Sequence, residues 1–198
     1  MENFIKNLEI KNFKSIKHLT LDCKRMNVFI GKPNVGKSNI LEALGLFSSE
    51  FIVDNLNEFI RMKKLDDLFF DFFLSDEVDI RLDNEFRLSL SFKSERNGIA
   101  AFFLDMYKND DLIESIPLIR DGSIKWSEGF NSRDILAKYY KYIPFEPKET
   151  SYLKTYLYPP FGENLYEIVT NYSEIRSRIV AMLKEQHLEF VSLTKESD

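Results

Sequence analysis

Cysteine is almost absent from this chain of 198 residues: Cys23 stands alone, so no disulfide can form within it, and a reducing compartment suits it. Histidine is nearly as scarce. His18 and His187 are far apart, and neither has a cysteine or acid at ligand spacing, so a zinc site is not expected. No run of about 18 apolar residues occurs, which gives no reason to expect a membrane-spanning helix. The opening MENFIKNLEI has the alternation of a strand and not the apolar block of a secretion signal. Together these absences predict a cytoplasmic protein with no membrane partner. Strong charge of one sign is missing too. The net charge of −5 removes the usual electrostatic argument for nucleic-acid binding.

What is present is ample material for a core: 44% hydrophobic residues, with 18 Phe and 9 Tyr. Charge is uneven. Residues 1–45 carry Lys6, Lys11, Lys14, Lys17, Lys24, Arg25, Lys32 and Lys37 against Glu2, Glu9, Asp22 and Glu42, so this end is locally positive. The segment LEIKNF alternates Leu8 and Ile10 with Glu9 and Lys11, and SIKHLTLD alternates Leu19 and Leu21 with Thr20 and Asp22. Two such runs about Lys14-Ser15 predict a hairpin. NVFIG, residues 27–31, reads as a short apolar strand buried on both faces. After Lys37 the spacing becomes helical, with Ile40, Leu41, Leu44 and Phe47 on one face. A second helical pattern runs through Ile52, Leu56, Phe59 and Ile60.

From about residue 76 to 127 the chain reads as an antiparallel meander. EVDIRLDNEFRLSLSF alternates around an Asp83-Asn84 turn, GIAAFFLDMY gives another strand, and PLIRDGSIKW carries an Asp121-Gly122 turn. Beyond about residue 131 helix and strand alternate again. Asn171 with Glu174 suggests a helix cap, followed by a face of Ile175, Ile179, Met182 and Leu183.

Gly31-Lys32-Pro33-Asn34-Val35-Gly36-Lys37-Ser38 fits the phosphate-loop pattern G-x-x-x-x-G-K-[ST], with Asn39 following. The glycines let the backbone wrap so that successive N–H groups face phosphate oxygens. Those donors merge with the free amides of the next helix, where the dipole also favours an anion. Lys37 should reach the β- and γ-phosphates, and Ser38 Oγ should bind Mg²⁺. ATP and Mg²⁺ are the expected ligands. A GTPase would need a D-x-x-G sensor, which no stretch supplies, and TKESD places Asp198 one residue late for a guanine reader. A partitioning-type ATPase would place a lysine at position 32 but would continue with glycines, where Pro33-Asn34 stand.

Residues 4–47, taken as a unit, resemble the N-terminus of the SMC/RecF/OLD group of ABC-type ATPases. Asn12-Phe13-Lys14-Ser15-Ile16 matches that group's NF(K/R)S(I/F) turn, and Asn34 with Asn39-Ile40-Leu41-Glu42-Ala43-Leu44 matches its loop and helix. The stretch LYPPFGENLYEIV is similar to the P-x-G-x-N-L element of the OLD-like branch. The resemblance implies an α/β P-loop NTPase: an ABC-type nucleotide-binding lobe with a mixed sheet, from residues 1–50 and about 131–198, and an antiparallel β-subdomain at about 76–127. It also implies hydrolysis at a dimer interface, work in DNA repair or phage defence, and a DNA or nuclease partner. Asn12 to Ser15 would approach the nucleotide.

No signature motif of that group is legible. LFFDFFLSDE ends in Asp76-Glu77, as a metal-supporting carboxylate pair would, but Asp71 and Ser75 interrupt it, and a core-packing role for Phe69 to Leu74 is the expectation. Gln186, the only glutamine, lies at a helix end and not after a strand. KYYKYIPFEPKETSYLKTYLYPP mixes lysines with tyrosines, a texture that suits a nucleic acid or the amphipathic rim of a core. These gaps lead to the expectation that the chain is the N-terminal portion of a longer ATPase, hydrolysing ATP only with the missing half or a homodimeric partner. The alternative is an ATP-sensing regulatory subunit that does not hydrolyse.

Overall fold

A computed structural model describes residues 5–51, 55–94, 100–123, 157–158, 162 and 164–185. The chain divides into two compact units, Met1–Tyr139 and Tyr140–Asp198. The first carries a six-stranded sheet: β1 (Asn7–Phe13), β2 (Ile16–Asp22), β3 (Val78–Leu82), β4 (Phe86–Ser94), β5 (Ala100–Lys108) and β6 (Asp111–Leu118). Their order is β2-β1-β3-β4-β5-β6.

Of the mixed sheet expected from residues 1–50 and about 131–198, the second part falls largely outside the described residues; every pairing in the described sheet is antiparallel. The cause is local. Tight turns join β1 to β2, β3 to β4 and β5 to β6, and such turns can only reverse the chain. Asp83 and Asn84 adopt left-handed φ of 54° and 56°, and Asn109 and Asp110 φ of 50° and 67°, which Asn and Asp tolerate better than other residues with a Cβ. The N-terminal hairpin is thus not separate from the meander. Ile10 lies opposite Ile80 and Leu8 opposite Leu82, so β1 and β3 join the two into one sheet.

Register puts the apolar residues on one face. Leu8, Ile10, Val78, Ile80, Leu88, Leu90, Phe102, Leu104, Ile116 and Leu118 are all buried. The opposite face is polar, with Lys11, Asp79, Ser89, Asp105 and Ser115 in consecutive pairing positions across five strands. Asp79 is buried there beneath Arg81 and Arg87, and Asp105 beneath Lys93.

Between β2 and β3 lie helix α1 (Lys37–Gly45) and short 3-10 turns over Leu46–Phe51, Leu56–Glu58, Leu65–Leu68 and Phe70–Phe72. Leu46, Phe47, Leu56, Phe59, Ile60, Leu65, Leu68 and Phe69 from this stretch are buried. Of the helix expected through Ile52, Leu56, Phe59 and Ile60, the described part holds a 3-10 turn at Leu56–Glu58 with Leu56, Phe59 and Ile60 buried, and Ile52 lies outside the described residues. The aromatic stretch packs only in part: Phe69 is buried against Phe102, while Phe72 and Phe73 are exposed.

Two further expectations fail here. Residues 27–30 form no strand, and Val28 and Ile30 are 72% and 90% exposed. A strand buried on both faces needs neighbours on both sides, and the described sheet gives it none. On α1 the buried residues are Glu42, Ala43 and Gly45, and Leu41 is 45% exposed. The helix is thus rotated from the face read off Ile40, Leu41, Leu44 and Phe47, of which only Phe47 is fully buried. Glu42 on the buried side pairs with Lys14 and Arg61, as described below.

In the second unit, Gly162 N–H donates to the Tyr158 carbonyl at 2.7 Å, and the buried Asn164 accepts from Tyr158 N–H at 2.6 Å. This knot starts α2 (Leu165–Asn171), so the P-x-G-x-N-L element does lead into a helix. Asn171 donates back to the Glu167 carbonyl at 2.9 Å and does not pair with Glu174. Helix α3 (Ser173–Glu185) holds no buried residue, and Met182 on its expected face is 66% exposed. Gln186, His187 and the lysine–tyrosine segment up to residue 156 lie outside the described residues. No helix among the described residues is long and apolar enough to cross a membrane.

Candidate nucleotide site

The loop of residues 31–36 leads directly into α1 at Lys37. Pro33 presets its own φ and Asn34 takes a left-handed φ of 61°, the residue pair a type II turn favours. Gly36 then caps α1 at φ 88°. A side chain at Gly36 would be strained by that φ, and its Cβ would lie 3.0 Å from Ser15 Oγ. Asn39 N–H closes the first turn on the Gly36 carbonyl at 3.0 Å. The amides of Lys37 and Ser38 have no partner within the helix, as holds for every first turn, and point from its positive end.

Lys37 curls back over this loop. Its Nζ donates to the Gly31 carbonyl at 2.9 Å and the Lys32 carbonyl at 2.6 Å. The ammonium therefore sits within the ring of backbone that the loop describes. Lys32, Pro33, Val35 and Ser38 are exposed. One continuous segment thus brings together every residue singled out from Gly31 to Asn39. A bent loop, free helix-end amides, an ammonium and an exposed hydroxyl form a donor set suited to a polyphosphate with a divalent cation.

The turn between β1 and β2 lies against this loop. Asn39 Nδ2 donates to Ser15 Oγ at 2.9 Å. Lys14, at φ 52°, turns its side chain the other way. Its Nζ pairs with Glu42 and donates to the Arg61 carbonyl at 2.6 Å, and its backbone N–H donates to the Leu68 carbonyl at 2.9 Å. Arg61 Nε in turn binds the other oxygen of Glu42 at 2.5 Å. Burial pushes the Lys14 ammonium below the usual lysine range, and the Glu42 carboxylate offsets part of that. Asn12 Nδ2 donates to the Glu77 carbonyl at 3.2 Å, so Asn12 serves β3 and not the loop.

Sequence reasoning missed Glu42 and Arg61 as partners. Glu42 sits in a helical repeat where an acid reads as surface, and nothing in the local sequence of Arg61 points to residues 19 positions away. The Asp76-Glu77 pair does not end a strand. Both residues are exposed in a turn, with Glu77 paired to Arg87 at 2.5 Å, and Asp71 and Phe72 before them hold left-handed φ of 50° and 60°.

A strand–turn–strand element thus lies against a glycine-bent loop at a helix N-terminus, an arrangement whose donors suit a phosphate group. The family comparison agrees: the model of the AAA ATPase domain matches residues 4–193, and the chain belongs to that family. Membership implies a P-loop NTPase and ATP binding. The uncharacterized protein MJECL10 of Methanocaldococcus jannaschii is 32% identical over 108 residues, a stretch covering 48% of this chain and 49% of that relative. The match thus spans about half the length of the curated relative.

Proposed function

We propose that residues 31–39 hold the triphosphate of Mg-ATP. The amides from Asn34 to Ser38 form the anion cradle, Lys37 neutralises the β- and γ-phosphates, and Ser38 Oγ ligates Mg²⁺. Gly31 and Gly36 permit the bend, and Lys32, Pro33, Val35 and Asn39 frame it. The observation that carries this reading is the bend itself: Gly36 at φ 88°, pressed by Ser15, with the Lys37 ammonium on the loop carbonyls.

The finer reading is an ATPase of the SMC/RecF/OLD type. In it, ATP closes a homodimer, or this lobe on the rest of the protein, and a nuclease or DNA partner in repair or phage defence receives the motion. The NF(K/R)S-like turn supports it, because Ser15 touches the loop residues Gly36 and Asn39. Catalysis requires a carboxylate and a signature motif from elsewhere. A second reading, an ATP sensor that does not hydrolyse, is favoured by the engagement of Glu77 with Arg87 outside any strand end.

Titration of the chain with a fluorescent ATP analogue and Mg²⁺ tests the proposal. Saturable binding, displaced by ATP in preference to GTP and reduced at least about tenfold in Lys37→Ala, is expected. Absence of binding, or preference for GTP, would sink it. Little phosphate should be released, and robust turnover dependent on Lys37 would remove the need for a complementing part.

A further inference from the structure

We infer that Glu42 is a positioning residue for the phosphate loop, acting through Lys14 and the Ser15 brace. This inference rests on the ATP-site reading for its functional consequence, but its geometry stands apart from it. Glu42 is an acid on the buried side of α1, with its side chain only 2% exposed. An ionised carboxylate is stable there only if it is paired and hydrogen-bonded. Lys14, 12% exposed, supplies the buried partner. Arg61, 67% exposed, supplies a second partner weakened by solvent.

Three chain segments meet at this carboxylate: the β1–β2 turn, α1, and the stretch entering the 3-10 turns. Lys14 is fixed at both ends, by Glu42 and the Arg61 carbonyl at its ammonium and by the Leu68 carbonyl at its backbone. Its neighbour Ser15 is therefore fixed as well. Ser15 Oγ lies 3.0 Å from where a Cβ on Gly36 would go, and it accepts from Asn39. The chain of contact runs Glu42, Lys14, Ser15, Gly36. Glu42 and Gly36 also share the α1 backbone, so the loop is held from two directions. Without the buried pair, the Ser15 turn has no charged anchor on α1, and the left-handed Gly36 loses its lateral support.

A purely structural ion pair would affect only stability. The two roles separate in a double variant, Lys14→Met with Glu42→Leu, which replaces the buried pair by apolar groups and so avoids a stranded charge. Mg-ATP affinity, thermal melting and amide exchange of Gly36 to Asn39 are measured together. The expected result is melting near that of the unaltered protein, ATP affinity weaker by about tenfold, and faster exchange at those amides without nucleotide. Lys14→Arg should retain affinity, because the pairing charge survives. Recovery of both melting and affinity in the double variant would overturn the inference. If that variant does not fold, Ser15→Ala decides: several-fold weaker ATP binding with unchanged melting is expected, and unchanged binding overturns it. Should the unaltered protein bind no ATP, the site reading fails. Amide exchange at Gly36 to Asn39 then judges the brace alone, and unchanged exchange in the variants overturns it.

Discussion

At the scale of single residues, conformation and charge set the strongest constraints. Gly36 combines a left-handed φ of 88° with a 3.0 Å approach of Ser15 to its would-be Cβ. Gly36→Ala should cost about 1–2 kcal/mol in urea unfolding and lose ATP binding together with it. Asp66 offers a test of charge. Hydrogen bonds from Arg120 hold its carboxyl below the ordinary aspartate value of 3.8, against the opposing effect of burial. A carboxyl lowered in the fold contributes stability that is complete above its unfolded value and is lost as pH falls through the lower folded one. The stability gap between the unaltered protein and Asp66→Asn should therefore be largest at neutral pH and shrink below pH 3.8. A gap that is flat from neutral to acid pH would show that packing, and not charge, joins Asp66 to Arg120.

At the scale of elements, β1 is the organising strand. It pairs with β2 on one side and β3 on the other, and Phe13 at its end is fully buried and bridged to Phe69. Phe13→Ala should cost about 3–5 kcal/mol by urea unfolding. Because Lys14 follows immediately, ATP affinity should fall in the same variant. The strands were legible because alternation is a short-range signal: Leu8 and Ile10 against Glu9 and Lys11 determine a face without outside help. The same holds for the Asp83-Asn84 turn. The end of β6, at Pro117-Leu118, was legible before the Asp121-Gly122 turn, but its start was not, because the reversal at Asn109-Asp110 lacks a glycine and Leu112 and Ile113 are adjacent apolar residues, both half exposed or more. The face of α1 was misread for a different reason. A hydrophobicity pattern cannot register a buried acid whose partners, Lys14 and Arg61, lie in other elements.

At the scale of the whole molecule, the P-loop class was legible because the G-x-x-x-x-G-K-[ST] pattern fixes its spacing within eight residues, Gly31 to Ser38. The strand before it was not, since an apolar run records only that burial is possible. Val28 and Ile30, with Met26, belong to a strip of sequence whose apolar side chains at these positions are exposed, and Val35 within the loop is exposed too. Changing Val28 and Ile30 together to lysine should alter thermal stability by no more than about 0.5 kcal/mol per site, as for other exposed positions. A large loss on melting would mean that this strip is covered in solution.

The pairing of Ile10 with Ile80 has a consequence in time. Everything that braces the phosphate loop, from the Lys14 turn to the Leu68 carbonyl, lies inside the span closed by that contact. Closing so distant a pair is slow relative to forming a hairpin or a helix turn. During synthesis, then, the N-terminal hairpin emerges first and waits. The Ile10–Ile80 pairing can form only once the strand that contains Ile80 has left the ribosome, so the stretch from Lys14 to Leu68 is enclosed by a contact that closes after all of its own residues have emerged.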